Sequence, residues 1–174
     1  MRIHVLHREQ HLEDSPDEVF PFFADARNLE AITPPLLRFR VVTPEPIEMR
    51  AGTFLRYRLR LHGVPISWHT TIQAWSPPHR FVDVQVRGPY ALWHHTHEFA
   101  PVTGSHPPGT LMTDTVRYAI GFGALGELAR RALVRRDLEA IFDFRAARVG
   151  ELLARRRDER QPVEDQVDAR QVAG

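Results

Sequence analysis

Thr110-Leu111-Met112-Thr113-Asp114-Thr115-Val116-Arg117-Tyr118 and, twenty residues on, Leu138-Glu139-Ala140-Ile141-Phe142-Asp143-Phe144-Arg145-Ala146-Ala147-Arg148-Val149-Gly150-Glu151-Leu152-Leu153 flank the break that decides the fold. In the first stretch Met112, Asp114, Val116 and Tyr118 share one face at a period of two, which is strand geometry. In the second, Leu138, Ile141, Phe142, Arg145, Val149, Leu152 and Leu153 recur at spacings of three and four, one face of a helix. The switch predicts a helix over Leu138–Leu153 lying on the concave face of an antiparallel sheet. Gly121-Phe122-Gly123 marks the break, and Leu125, Leu128, Ala132 and Leu133 form a shorter amphipathic piece after it.

Moving back toward the N-terminus, period two persists. Strands are expected at Ala91–Phe99, Phe81–Arg87, Val64–Trp75, Thr53–Leu61 and Arg38–Thr43, separated by turn signals such as Gly88-Pro89, Ser76-Pro77-Pro78 and His62-Gly63. Thr53–Leu61 alternates most cleanly, with Leu55, Tyr57, Leu59 and Leu61 opposite Arg56, Arg58 and Arg60. Two short helices precede these strands. Ser15 offers an N-cap, Pro16 the first helical position, and Asp17 and Glu18 first-turn acids; Asn28, Leu29 and Ile32 make the second, closed by Thr33-Pro34-Pro35. Met1–Gln10 reads as a further strand, with Ile3, Val5 and His7 assigned to one face. From Asp158 apolar residues thin out, and 158–174 reads as a disordered tail after a domain spanning 1–157.

Composition excludes several functions. The chain has 174 residues, 43% of them hydrophobic and 26% charged, as a single globular domain would. It has no cysteine and no lysine, which removes thiolate nucleophiles and metal sites, Schiff bases and the P-loop lysine. A formal net charge of +1 argues against a nucleic-acid partner held by bulk charge, and Arg56, Arg58 and Arg60 read as a solvated outer face. Arg130-Arg131 and Arg135-Arg136 likewise read as a solvated flank before a membrane contact. No apolar run spans a bilayer and no signal peptide is apparent, so stable membrane insertion is not expected and the expected location is the cytoplasm.

Four stretches together resemble the START-like, or SRPBCC, helix-grip superfamily, nearest its bacterial cyclase/dehydrase-like branch. They are Ser15-Pro16-Asp17-Glu18-Val19-Phe20-Pro21-Phe22-Phe23 with Asn28-Leu29 and Thr33-Pro34-Pro35; Pro78-His79-Arg80-Phe81-Val82-Asp83 with Gly88-Pro89-Tyr90; Trp93-His94-His95-Thr96-His97-Glu98-Phe99; and Thr110–Asp114 with Tyr118, Gly121-Phe122-Gly123 and Phe142-Asp143-Phe144-Arg145. Ile120-Gly121 departs from the pattern, where a proline would be expected before Phe122. The resemblance implies an α+β fold, a curved antiparallel sheet of about seven strands around a long C-terminal helix, with an internal cavity for a small hydrophobic or amphipathic ligand, lipid-like or polycyclic. It does not imply a reaction.

Alternation places Trp93, His95, His97 and Phe99 on the cavity face and sends His94, Thr96 and Glu98 outward. If Phe99 and Thr110 close the last hairpin, His97 faces Met112 and His95 faces Asp114, a carboxylate that would orient the imidazole and raise its pKa. Asp83 is ambiguous: the valines 82, 84 and 86 compete for the inward face, whereas a three-residue turn at Gly88–Tyr90 pairs Asp83 with His95. Spacing leaves the choice open, and the resemblance implies Asp83 inward. Trp68 faces Tyr57 across the His62-Gly63 turn, and Arg145 reads as a buried ion-pair partner or a rim residue.

The expected ligand-binding set is therefore Tyr57, Trp68, Asp83, Trp93, His95, His97, Met112, Asp114, Tyr118, Phe142 and Arg145. Candidate acid–base residues are His95, His97 and Asp114. His-x-His with Asp83 or Asp114 would also suit a metal, but the spacing is common, and the reading is of hydrogen-bonded histidines with no metal and no other cofactor. Two functional classes stay open. One is a binding or carrier protein. The other is a polyketide cyclase, dehydratase or aromatase working by His/Asp general acid–base chemistry. The reading favours binding.

Overall fold

Seven strands and one long helix carry the period switch into three dimensions. A computed structural model describes residues 1–102, 104, 109–121 and 133–171, with 161–171 in backbone only. The strands are β1 (His4–Leu12), β2 (Arg40–Val41), β3 (Phe54–Leu61), β4 (Val64–Ser76), β5 (Arg80–Arg87), β6 (Leu92–Val102) and β7 (Gly109–Ala119). They form one antiparallel sheet in the order β1-β7-β6-β5-β4-β3-β2, so only β1 is out of sequence and pairs with β7. Between β1 and β2 lie α1 (Pro16–Phe23), α2 (Asn28–Ala31) and a 3₁₀ turn at Pro35–Leu37; α3 runs from Arg135 to Gln171. The seven strands, the two short helices and the gripped helix match the expected architecture.

Local sequence explains the boundaries. Ser15 starts α1 with its backbone N–H and its hydroxyl both donating to the Glu18 carboxylate, at 3.0 and 2.8 Å. His62 and Gly63 both have positive φ (49° and 82°), which closes the two-residue β3–β4 turn and sets Tyr57 opposite Trp68, as the turn predicts. The β5–β6 corner is bracketed by Gln85, whose side-chain amide donates to the Tyr90 carbonyl at 2.7 Å and whose side-chain oxygen accepts from the Tyr90 N–H at 3.3 Å. Gly88 sits inside that bracket: a Cβ there would lie 2.3 Å from Gln85 Oε1.

One face is decided by the structure and two expectations are corrected. In β1, Ile3, Val5 and His7 share a face, as expected, and it is the outer one, with Val5 62% exposed, while His4, Leu6, Arg8 and Gln10 turn inward. Pairing with β7 decides the face, setting Leu6 beside Val116 and Arg8 beside Asp114, and it overrides local hydropathy. The strand expected at Arg38–Thr43 shortens to Arg40–Val41, because Arg38 is left-handed (φ 44°) and ends the 3₁₀ turn. The last hairpin closes at Val102↔Gly109, since β6 continues past Phe99 through Ala100-Pro101-Val102. Every pair is thereby shifted: Phe99 faces Met112, His97 faces Asp114 and His95 faces Val116.

The α3 backbone is helical to Gln171, through 158–171, which composition reads as a disordered tail. That stretch mixes good helix formers (three glutamines, two arginines, two glutamates) with three aspartates and Pro162. Gly121 is described, but Phe122-Gly123, Leu125, Leu128, Arg130-Arg131 and Ala132 lie outside the described residues.

Two clusters hold α3 against the sheet. Val149 and Leu153 pack with Phe20, Phe22, Phe81, Phe99 and Met112, and Leu138 and Phe142 pack with Trp93, Val116 and Tyr118. Gln10 adds a 2.8 Å hydrogen bond from its side-chain amide to the Ala146 carbonyl.

Candidate functional site

Alternation on β5, β6 and β7 aims Asp83, His95, His97 and Asp114 at the space beneath α3, with Asp83 inward as the family resemblance implies. Asp83 stands opposite His95 and Asp114 opposite His97, so the two carboxylates flank β6 from either side. Each imidazole then reaches both. His95 Nε2 lies 2.8 Å from Asp114 Oδ1 and its Nδ1 3.5 Å from Asp83 Oδ2. His97 Nδ1 lies 2.7 Å from Asp114 Oδ1 and its Nε2 3.0 Å from Asp83 Oδ2. One oxygen of each carboxylate thus serves both rings. Arg145 approaches from α3, its Nε 4.0 Å from Asp114 Oδ2 and its Nη2 3.5 Å from His97 Nδ1. It is the buried ion-pair partner, not the rim residue.

Packing fixes the rings. Phe81 stacks on His97 (4.0 Å between centroids, 18°), His95 and His97 sit 3.7 Å apart, and Trp93 and Phe142 meet the His95 ring edge-on at 6.1 and 5.5 Å. Both imidazoles are almost fully buried, at 4% and 2% exposure. A buried polar group is costly unless satisfied, and here each has carboxylate partners.

The electrostatics differ from the sequence expectation at His95. A facing Asp114 predicts a raised pKa; instead burial, followed by the neighbouring His97, lowers it to about 4 against the pull of the carboxylates. His95 is therefore neutral at neutral pH. Burial pushes the Asp83 carboxyl upward, but the His97 hydrogen bond, with the nearby imidazoles and Arg145, outweighs it and leaves Asp83 below its ordinary value. Asp114 is held well below by Arg145, His97 and its two histidine hydrogen bonds, again against burial. Both carboxylates are ionised.

These residues close one end of a cavity of about 190 Å³, smaller than the several hundred cubic ångströms suggested by the aromatic content. Tyr57, Trp68, Asp83, Trp93, His95, His97, Phe142 and Arg145 all line it. Trp68 and Trp93 meet edge-to-face at 5.1 Å and form a wall with Tyr90. Burial pushes the Tyr57 phenol far up, so it stays protonated.

Three expected lining residues lie elsewhere. Met112 and Asp114 border a smaller void of about 150 Å³ between β1, β7 and α3. Tyr118 packs into the cluster around Trp93 and Leu138 and does not line the cavity. Sequence reasoning missed Phe81 as the ring under His97, although it shares a strand face with Asp83. It also missed Leu37, Phe39 and Met49, which reach the cavity from the irregular segment before β3, where no period exists to read.

A family described as "Polyketide cyclase / dehydrase and lipid transport" matches residues 4–154. No curated protein matches the chain. Among solved structures, Zhui aromatase/cyclase from Streptomyces sp. R1128 superposes with a TM-score of 0.70 at 13% identity, over 89% of this chain and 96% of that one. TTHA0849 from Thermus thermophilus gives a TM-score of 0.63 at 19% identity over 84% and 97%, and Ara h 8.0201 gives 0.58 at 15% over 85% and 98%. At these identities the likeness is one of fold.

Proposed function

The chain belongs to the polyketide cyclase/dehydrase and lipid transport family, and from that premise we propose that it binds a small, largely apolar ligand bearing one oxygen function in the cavity beneath α3. The observation that carries this reading is a cavity of about 190 Å³ walled mostly by aromatic and aliphatic side chains, into which the cluster of Asp83, His95, His97 and Arg145 faces. An apolar cavity of roughly 150 Å³ is enough to hold benzene. At about 190 Å³ the cavity takes one ring or two fused rings as the walls stand, and a larger polycycle requires them to part. The apolar wall supplies affinity and the charged end supplies orientation.

Native mass spectrometry of the purified chain tests for a retained ligand. A titration of tryptophan fluorescence with 2-naphthol and with naphthalene tests the polar end. The expected result is that 2-naphthol binds about tenfold more tightly, about 1.4 kcal/mol, and that His97→Phe removes the difference. Equal binding of both probes, or of neither, overturns the reading.

A second reading is a cyclase-, dehydratase- or aromatase-type enzyme. It is favoured by two imidazoles and a carboxylate, His95, His97 and Asp83, lining one largely apolar cavity, an arrangement suited to proton transfer. Turnover of an added poly-β-ketone, lost in His95→Phe with the fold intact, separates the two readings.

A further inference from the structure

The four ring nitrogens of His95 and His97 all face carboxylate oxygens. A ring with one N–H presents a lone pair at its other nitrogen, so each imidazole can donate on one side and coordinate on the other. Three of the four N···O separations are 3.0 Å or less, two of them to Asp114 Oδ1 and one to Asp83 Oδ2. If Asp114 takes the N–H of both rings, His95 Nδ1 and His97 Nε2 present lone pairs toward Asp83 Oδ2. Three acceptors then converge on one point, which is repulsive unless a cation lies between them.

The spacing of those acceptors discriminates among cations. His97 Nε2 and His95 Nδ1 are 3.0 and 3.5 Å from Asp83 Oδ2, and ligand atoms of all three residues lie within 4.8 Å of one another. Ligands at about 2.0–2.2 Å around a tetrahedral metal are about 3.3 Å apart. The 3.5 Å separation is too long for a good N–H···O bond, yet it suits two ligands of one metal. From the geometry we infer that Asp83, His95 and His97 form a binding site for a divalent transition metal of the zinc class.

The surroundings fit such a site. Asp114 accepts from the far nitrogen of both imidazoles, the arrangement that fixes ring orientation and tautomer in histidine metal sites. Phe81, Trp93 and Phe142 hold the ring planes. Arg145 stands on the Asp114 side, near Oδ2, away from the point where the three acceptors meet. All three proposed ligands line the 190 Å³ cavity, so a fourth coordination position opens into it. Imidazole and carboxylate without sulfur suit zinc, cobalt and iron(II) better than magnesium or calcium. The inference goes beyond ligand binding and stands whether or not the cavity takes an apolar molecule.

The test uses the full chain, stripped with EDTA and dialysed. Cobalt(II) is titrated in and followed by its visible absorption; zinc is measured by competition with a chromophoric chelator. One equivalent of cobalt should give the intense visible bands of four- or five-coordinate metal, and zinc should displace it. Asp114→Asn should weaken zinc by about 10–100-fold, and Asp83→Asn by more. His62→Gln, which alters a surface histidine 2.7 Å from Asp137, should change nothing. Only pale octahedral cobalt, or an affinity indifferent to Asp83→Asn in a folded variant, overturns the site and leaves a third proton as the cation in the gap. Should Asp83→Asn not fold, X-ray absorption on the cobalt-loaded wild-type chain decides: two imidazoles per metal support the site, and fewer overturn it. The naphthol titration on the stripped protein reports on the ligand reading separately.

Discussion

One face of α3 meets the sheet in two different ways. Toward its C-terminal half Val149 and Leu153 pack among Phe20, Phe22, Phe99 and Met112, with rings in edge contact. Two turns earlier the same face sets Phe142 and Arg145 over His95, His97 and Asp114, beside a cavity. The first end is apolar and anchored by the α1 phenylalanines. The second keeps two carboxylates, two imidazoles and a guanidinium largely out of water. A helix-grip core therefore separates tasks along one helix: apolar packing dominates at one level and buried polar chemistry at the other.

That division makes measurable claims. Phe99→Ala, at the packed end, should cost about 3–5 kcal/mol in urea unfolding and leave 2-naphthol affinity per folded molecule nearly unchanged. A similar loss of affinity would show that the two ends are not independent. At the other end Asp114→Asn removes one acceptor from two imidazoles and a charge from Arg145, and should cost about 1–3 kcal/mol, with the larger effect on binding. His95→Phe should cost no more than that, and the Asp114→Asn/His95→Phe double variant should cost less than the sum of the singles, because the shared hydrogen bond is lost only once.

Acid should act at the polar end first. His95 has a pKa of about 4 in the fold and about 6.5 unfolded. The unfolded chain takes up that proton at a higher pH, so stability falls as pH drops from about 6.5 toward 4. Asp83 and Asp114, both lowered, extend the loss below the ordinary carboxylate range. Urea midpoints measured between pH 7 and 4 should show the fall, and His95→Phe should flatten its upper part. The smallest effect belongs to Arg160, half-exposed and near Asp14 and Glu18: Arg160→Ala should shift stability by about 0.2–1 kcal/mol, and more at low salt.

What can be read from sequence follows the same division. Period two, period 3.6 and the Pro/Gly turns are enough for the strand count, for the gripped helix and for the Tyr57–Trp68 pair, because these depend on near neighbours. The inward face of Asp83 follows from the family resemblance, since Val82, Val84 and Val86 compete for that face and alternation alone leaves it open. The partners of His97 and His95 are not legible. The register of β6 on β7 depends on how far the strands run past Phe99, and Pro101, a residue that normally ends a strand, is paired there with Thr110. The face of β1 also escapes, since it is imposed by a partner more than a hundred residues away. The direction of the His95 shift turns on how deeply the ring is buried, which no spacing reports.

The corner between β5 and β6 gives the cavity a control on the outside of the molecule. Gln85 holds Tyr90 by two hydrogen bonds, and Tyr90 leans on Trp68 and Trp93. A methyl group at Gly88 would push the Gln85 carboxamide aside and release that grip. Selection acting on this one surface position can therefore retune which molecules the interior accepts while every residue that touches them stays the same.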